Sequence, residues 1–140
     1  MSESNVTTLK RVERYKFKAV FDAEGIPDLV VDELKPIGES SAPNPTRLLS
    51  VAVGHCLSSS LLYCLAKARI PVVNLETTVK TTLGRNKQGY MRVKNLDVQM
   101  HLNVDEKDKP HVSRCLDIFE NYCTVTQSVR NGIAVTVNIK

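Results

Sequence analysis

Residues 48–66, LLSVAVGHCLSSSLLYCLA, carry no charged side chain and would be apolar on nearly every face of a helix. Asn44 is a good N-cap, and Pro45 suits the first helical turn, where its missing N–H costs nothing. From Pro45 the chain can stay helical to Arg69, where Ile70-Pro71 stops it. Roughly 25 residues at about 1.5 Å each span about 37 Å. A globule of 140 residues has a radius of gyration of about 14 Å, so this helix crosses the whole domain. It has no polar face to show to water, and one small sheet cannot cover it all round. A second copy of the chain can. The stretch is long enough on paper for a membrane span, but its four serines, histidine and glycine argue against one.

The flanking sequence reads as short strands. In RYKFKAVFD, residues 14–22, Tyr15, Phe17, Ala19 and Phe21 share one side, with Lys16 and Lys18 opposite. The turn residues AEGIPD lead to a second strand, DLVVDEL, predicting an antiparallel hairpin. After Pro71, the residues Val73, Leu75, Thr77, Val79, Thr81 and Leu83 alternate strictly. The turn RNKQG then leads to an antiparallel partner whose parity changes midway, predicting a bulge near Lys94–Asn95. Val112, Cys115, Leu116 and Phe119 share one face of a further helix, and GIAVTVNIK reads as a last strand. The pattern predicts a single α+β domain over residues 1–140, with residues 1–10 as a flexible lead-in.

The opening MSESNVTTLKR has no apolar signal core, which predicts a cytoplasmic protein with reduced thiols and no persistent structural disulfide. The net charge of +4 is spread among acids, as in KRVERYK and DEKDK, so a solvated surface accounts for it better than nucleic-acid binding.

Four cysteines remain, at 56, 64, 115 and 123, in two pairs each eight residues apart. Zinc sites favour shorter spacings, and His55, His101 and His111 form no ligand motif, so no metal is expected. Eight helical residues separate Cys56 from Cys64 by about 12 Å, whereas a disulfide needs Cα atoms about 4.4–6.8 Å apart. Cys115 and Cys123 face the same limit if their segment is helical throughout. A redox pair must therefore take one member from each segment. Thr124-Val-Thr-Gln127 fits a capping box, predicting a short helix from Thr124 to Asn131-Gly132. Cys123 would then precede a helix N-terminus, which favours thiolate. The plain alternative is that all four are buried small hydrophobes, and His55 reads as a packing residue.

The stretch PNPTRLLSVAVGHCLSSSLLYCLAKARIPV resembles the central-helix signature of the OsmC/Ohr superfamily, an Asn-Pro helix start followed by Gly-x-Cys. FENYCTVTQSVRNGIAVTVNI is similar to that family's second cysteine motif, and the order of elements agrees along essentially the whole chain. The resemblance implies an intertwined homodimer with long helices packed centrally and active sites at the interface. It implies a thiol peroxidase in which Cys56 attacks an organic hydroperoxide and Cys123 resolves the product, with an external dithiol as reductant and no bound cofactor. Cys64 and Cys115 match no signature cysteine and are assigned to packing. Where peroxidatic relatives carry Glu after the helix-start proline, this chain has Thr46 and then Arg47. No arginine stands between Val20 and Ser41 to match the family's activating one, which leaves Arg47 or Arg85 as candidates for that charge. The alternative use of the same pocket is binding a small apolar or thiol-containing ligand without efficient turnover.

Overall fold

The strand expected over residues 14–22 forms as β2 (Lys16–Phe21), the middle strand of a three-stranded antiparallel sheet. On one side it pairs with β3 (Leu29–Val31), Ala19 opposite Leu29. On the other lies β1 (Thr7–Glu13), with Leu9 opposite Ala19. β1 takes up residues 7–10 of the expected flexible lead-in as a strand. TTLKRVE is exposed along its length and lacks apolar alternation, and its pairing with β2 makes it a strand. The computed structural model describes residues 3–140, so the first two residues of that expectation lie outside it.

After β3 the chain winds around one buried carboxylate. Asp32 accepts hydrogen bonds from the backbone amides of Glu33, Glu39 and Ser41, and from the Ser41 hydroxyl at 2.7 Å. Gly38 completes this loop, since a Cβ there would overlap the Glu33 carbonyl oxygen.

The long helix forms as α1 (Pro45–Lys67), with the Leu48 amide donating to the Asn44 carbonyl at 3.1 Å. It stops two residues short of Arg69, which leaves it with a φ of 59°. The chain divides into two compact units, one up to Leu49 and the other from Ser50 onward.

In the second unit α1 lies against a long hairpin, β4 (Val72–Arg85) and β5 (Met91–Val104). Two of the four serines that argued against a membrane span have partners on that hairpin. Ser50 Oγ lies 2.5 Å from Thr81 Oγ1, and Ser58 Oγ lies 2.6 Å from Thr77 Oγ1. Gly54 falls between them, where a Cβ would come within 2.9 Å of Val79 Cγ2. Spaced four apart, Ser50, Gly54 and Ser58 form one stripe of small residues that lets the helix approach the strand closely.

The core below it gathers Leu61, Leu65, Ile70 and Val104, with Cys115 from α2 (Ser113–Ile118). The face expected around Cys115 holds for Val112 and Phe119, which pack against this core, whereas Leu116 is exposed. Short 3₁₀ turns flank α2 at Glu106–His111 and Phe119–Tyr122, and α3 (Thr124–Asn131) follows.

The expected bulge is present: Thr82 pairs with Asn95 and Leu83 with Val93, leaving Lys94 unpaired. A second register shift, between Val72 and Asn74, leaves Val73 61% exposed instead of facing inward with Leu75.

The expected last strand is not formed. Residues 133–140 run on without strand pairing, and Ile133, Val135, Val137 and Ile139 are all exposed, Ile139 to 94%. Alternation gives a segment strand character, but a strand exists only where an edge supplies backbone partners. Helix α1 is likewise covered on one side only. Val51, Ala52, His55, Ser59, Leu62, Tyr63 and Ala66 face outward, so His55 does not pack within the chain as expected.

Candidate functional site

Cys123 is the N-cap of α3, held extended at φ −82° and ψ 95° between the Phe119–Tyr122 turn and the helix. The helix begins and ends where the sequence predicted, with Gly132 at a φ of 78°. The capping box itself is absent. Cys123, not Thr124, stands at the N-cap, and the Gln127 side-chain amide donates instead to the Glu120 carbonyl at 3.1 Å.

Cys56 reaches this helix start from α1, and its sulfur accepts the Val125 backbone N–H at 3.5 Å. The two sulfurs are near enough for each to bear on the other's proton affinity. Cys56 is half-buried and Cys123 fully buried, and both are free thiols. Cys123 also donates to Thr126 Oγ1 at 3.0 Å, and the Ser60 hydroxyl bears on the same sulfur's proton affinity. Ser60 and Thr126 are themselves buried.

The two thiols are tuned in opposite directions. Burial and the neighbouring Cys123 sulfur push the Cys56 thiol up, against the pull of the Val125 and Thr126 amides. Burial pushes Cys123 up too, but it is outweighed by the surrounding polar groups, the Thr126 hydroxyl, the Cys56 thiol, the Thr126 amide and the Ser60 hydroxyl. The net effect holds Cys123 below the ordinary thiol range.

The other cysteine pair corrects the sequence reading. Cys64 and Cys115, assigned to packing as reduced thiols, form a disulfide with Cα atoms 5.7 Å apart. The geometric reason is simple. Cys64 pairs with Cys115 and Cys56 meets Cys123, so the two segments run antiparallel and their equal eight-residue intervals make two rungs. Spacing permits both rungs and does not say which is closed.

Arg47 donates from Nη1 to Asn44 Oδ1 at 3.0 Å, and Arg85 donates from Nη1 to the Gly89 carbonyl at 2.8 Å in the hairpin turn. The groups that bear on the Cys56 proton are Cys123, Val125 and Thr126, with no guanidinium among them. Among the described residues no three His, Cys, Asp or Glu side chains converge as a metal site requires.

Sequence reasoning missed Ser60 and Thr126. Their signal was positional: Ser60 lies one helical turn after Cys56, and Thr126 lies three residues after an N-cap cysteine.

The OsmC-like protein family model matches residues 38–138. No curated protein sequence matches the chain. Solved structures share the fold at low identity. An OsmC-like protein of unknown function from Vibrio cholerae is 20% identical, covering 91% of this chain and 94% of its own, with a TM-score of 0.73. An organic hydroperoxide resistance protein OsmC from Legionella pneumophila is 13% identical, covering 91% and 90%, with a TM-score of 0.70. An organic hydroperoxide resistance protein from Elizabethkingia anophelis, with crystallant-derived thiocyanate bound, is 18% identical, covering 95% and 92%, at a TM-score of 0.66. The α+β fold, with antiparallel sheets and a long helix, is the one these proteins share. Because the family model also spans most of the sequence, both cysteine segments included, this chain belongs to the OsmC-like protein family.

Proposed function

We propose that the protein is a thiol peroxidase that reduces organic hydroperoxides through Cys56 and Cys123. The observation that carries this reading is the meeting of two free thiols at the start of α3, each bearing on the other's proton affinity, with a backbone amide aimed at the more accessible one. Cys56 attacks the distal peroxide oxygen, alcohol leaves, and Cys56 becomes a sulfenic acid. Cys123 condenses with it, releasing water and forming a disulfide that an external dithiol reduces. Two relatives of the same fold are organic hydroperoxide resistance proteins, which supports the substrate class.

The working unit in this reading is a homodimer. The outward face of α1 and the extended residues 133–140 are the apolar surfaces a second copy would cover. The pocket itself would then be completed at the interface.

A second reading, small-ligand binding without efficient turnover, is favoured by one observation: burial and the neighbouring Cys123 sulfur push the Cys56 thiol up. A steady-state assay with an organic hydroperoxide and a dithiol separates the two. Turnover that is lost in Cys56→Ser is the expected result. Its absence in the wild-type dimer, with ligand retained, selects the binding reading.

A further inference from the structure

We infer that the turn end of the β4–β5 hairpin is a binding face for single-stranded nucleic acid, built from Tyr90, Arg92 and Lys94 on one side of the ribbon. This face is separate from the thiols and does not depend on what they do.

The net charge of the chain is gathered at this end. Residues 81–96 hold four cations, Arg85, Lys87, Arg92 and Lys94, and no acid. Elsewhere fifteen cations stand against fifteen acids, so the whole net charge of +4 sits on one ribbon end. The solvated mixture expected from KRVERYK and DEKDK describes the rest of the chain. All four cations are exposed, and among the described residues none has a carboxylate partner. A cluster of one sign with no counter-charge in its own fold attracts an anion from outside.

Neutral groups hold these side chains in place. Arg85 donates from Nη1 to the Gly89 carbonyl at 2.8 Å. Arg92 donates from Nη1 to the Met91 carbonyl at 2.8 Å, and its guanidinium lies 5.6 Å from the centre of the Tyr90 ring. The stem of the bulged Lys94 lies across Gly84, where a Cβ would come within 3.1 Å of its Cγ and 3.4 Å of its Cε. Gly84 pairs with Arg92, so Tyr90, Arg92 and Lys94 share one face. The turn beneath Tyr90 is fixed as well. Asn86 Oδ1 accepts the amides of Gln88 at 3.0 Å and Tyr90 at 2.9 Å, and Gly89 takes a φ of 87°.

The make-up of the face selects the polyanion. Tyr90 is 62% exposed. An open ring among cations is a platform on which unpaired bases stack while the cations take the phosphates. A duplex keeps its base faces hidden and offers the ring nothing. A lipid surface needs apolar side chains beside the cations. Leu83, Met91 and Val93 are exposed, but alternation puts them on the opposite side of the ribbon from Arg92 and Lys94.

The test is fluorescence anisotropy of a labelled oligothymidylate of about twelve nucleotides, titrated with the full chain at several salt concentrations. Affinity should fall with salt at a log–log slope of about −2 to −3, as three or four phosphate contacts on a single strand require. Arg92→Gln with Lys94→Gln should weaken binding about tenfold or more at low salt and flatten the slope by about 1.4. Tyr90→Ala should weaken it about fivefold or more, and Tyr90→Phe should bind as wild type. Lys18→Gln with Lys107→Gln removes the same charge elsewhere and should leave binding unchanged. An equal loss in that control reduces the effect to overall charge and overturns the proposal, as does a wild-type chain that fails to bind. A duplex of the same length bound as tightly as the single strand, or Tyr90→Ala without effect, overturns the stacking role. Vesicles of phosphatidylserine and phosphatidylcholine should leave the protein in solution. Capture by those vesicles through Arg92 and Lys94, with no oligonucleotide bound, would make the face a lipid-binding one and overturn the assignment.

Discussion

Reducing the Cys64–Cys115 disulfide should remove a large part of the protein's stability. The bond joins residues 51 apart in sequence. For a loop of that length the chain-entropy relation gives about 14 cal/mol/K, or about 4 kcal/mol at 25 °C. A domain of this kind has about 5–15 kcal/mol in total, so roughly a quarter or more of it depends on one bond. The measurement is guanidinium denaturation of the Cys56→Ser chain, with and without a dithiol, at fixed chain concentration; the substitution keeps the other pair from contributing. The reduced form should lose about 4 kcal/mol and melt about 10 °C lower or more. Its m-value should rise, because the cross-link keeps the oxidised unfolded chain compact. Mass spectrometry must show both thiols free in the reduced sample. If it does, and the midpoint and slope are unchanged, the reasoning is refuted, because a cross-link that constrains the unfolded chain cannot be removed without effect.

Three further outcomes test other parts of the molecule. Gly54→Ala would ordinarily stabilise a helix interior by about 1 kcal/mol; the Val79 methyl in the way should cancel that gain, and Gly54→Val should cost about 1–3 kcal/mol in denaturant melts. The Ser41 hydroxyl, with nearby backbone amides, holds the Asp32 carboxyl below its ordinary range despite burial. Its contribution should be complete above about pH 4 and lost as pH falls through the lowered folded value, with Asp32→Asn flattening that part of the acid-stability profile. Removing residues 133–140 should turn the expected dimer into a monomer by analytical ultracentrifugation, and an unchanged dimer mass would contradict the role given to that segment.

What the sequence disclosed, and what it hid, follows from how local each cause is. Asn44-Pro45 and Ile70-Pro71 bracket α1 because caps and proline stops act within a turn of themselves. The Lys94 bulge was legible because a parity change is written directly in the alternation. β1 was hidden because TTLKRVE owes its strand to β2 rather than to its own pattern. The last strand was overstated for the complementary reason, since alternation names a preference without naming a partner. At the site, the span of α3 and the place of Cys123 at its start could be anticipated from local signals, although the expected Thr124 capping box does not form. The closed 64–115 rung could not, because equal spacing offers both rungs alike. Ser60 and Thr126 went unnoticed because hydroxyl residues are common, and only the fold brings these two to one sulfur.

The two antiparallel rungs also set a local concentration. With Cys64 and Cys115 bonded, the strip carrying Cys123 is tethered about 12 Å along α1 from Cys56. Encounter of the two free sulfurs is then unimolecular, with an effective molarity far above any that dissolved thiols reach. Opening the lower rung would let that strip swing, and the upper pair would have to find each other by diffusion of a looser chain. In the proposed cycle, the closed 64–115 rung would serve as the frame on which the 56–123 pair opens and closes.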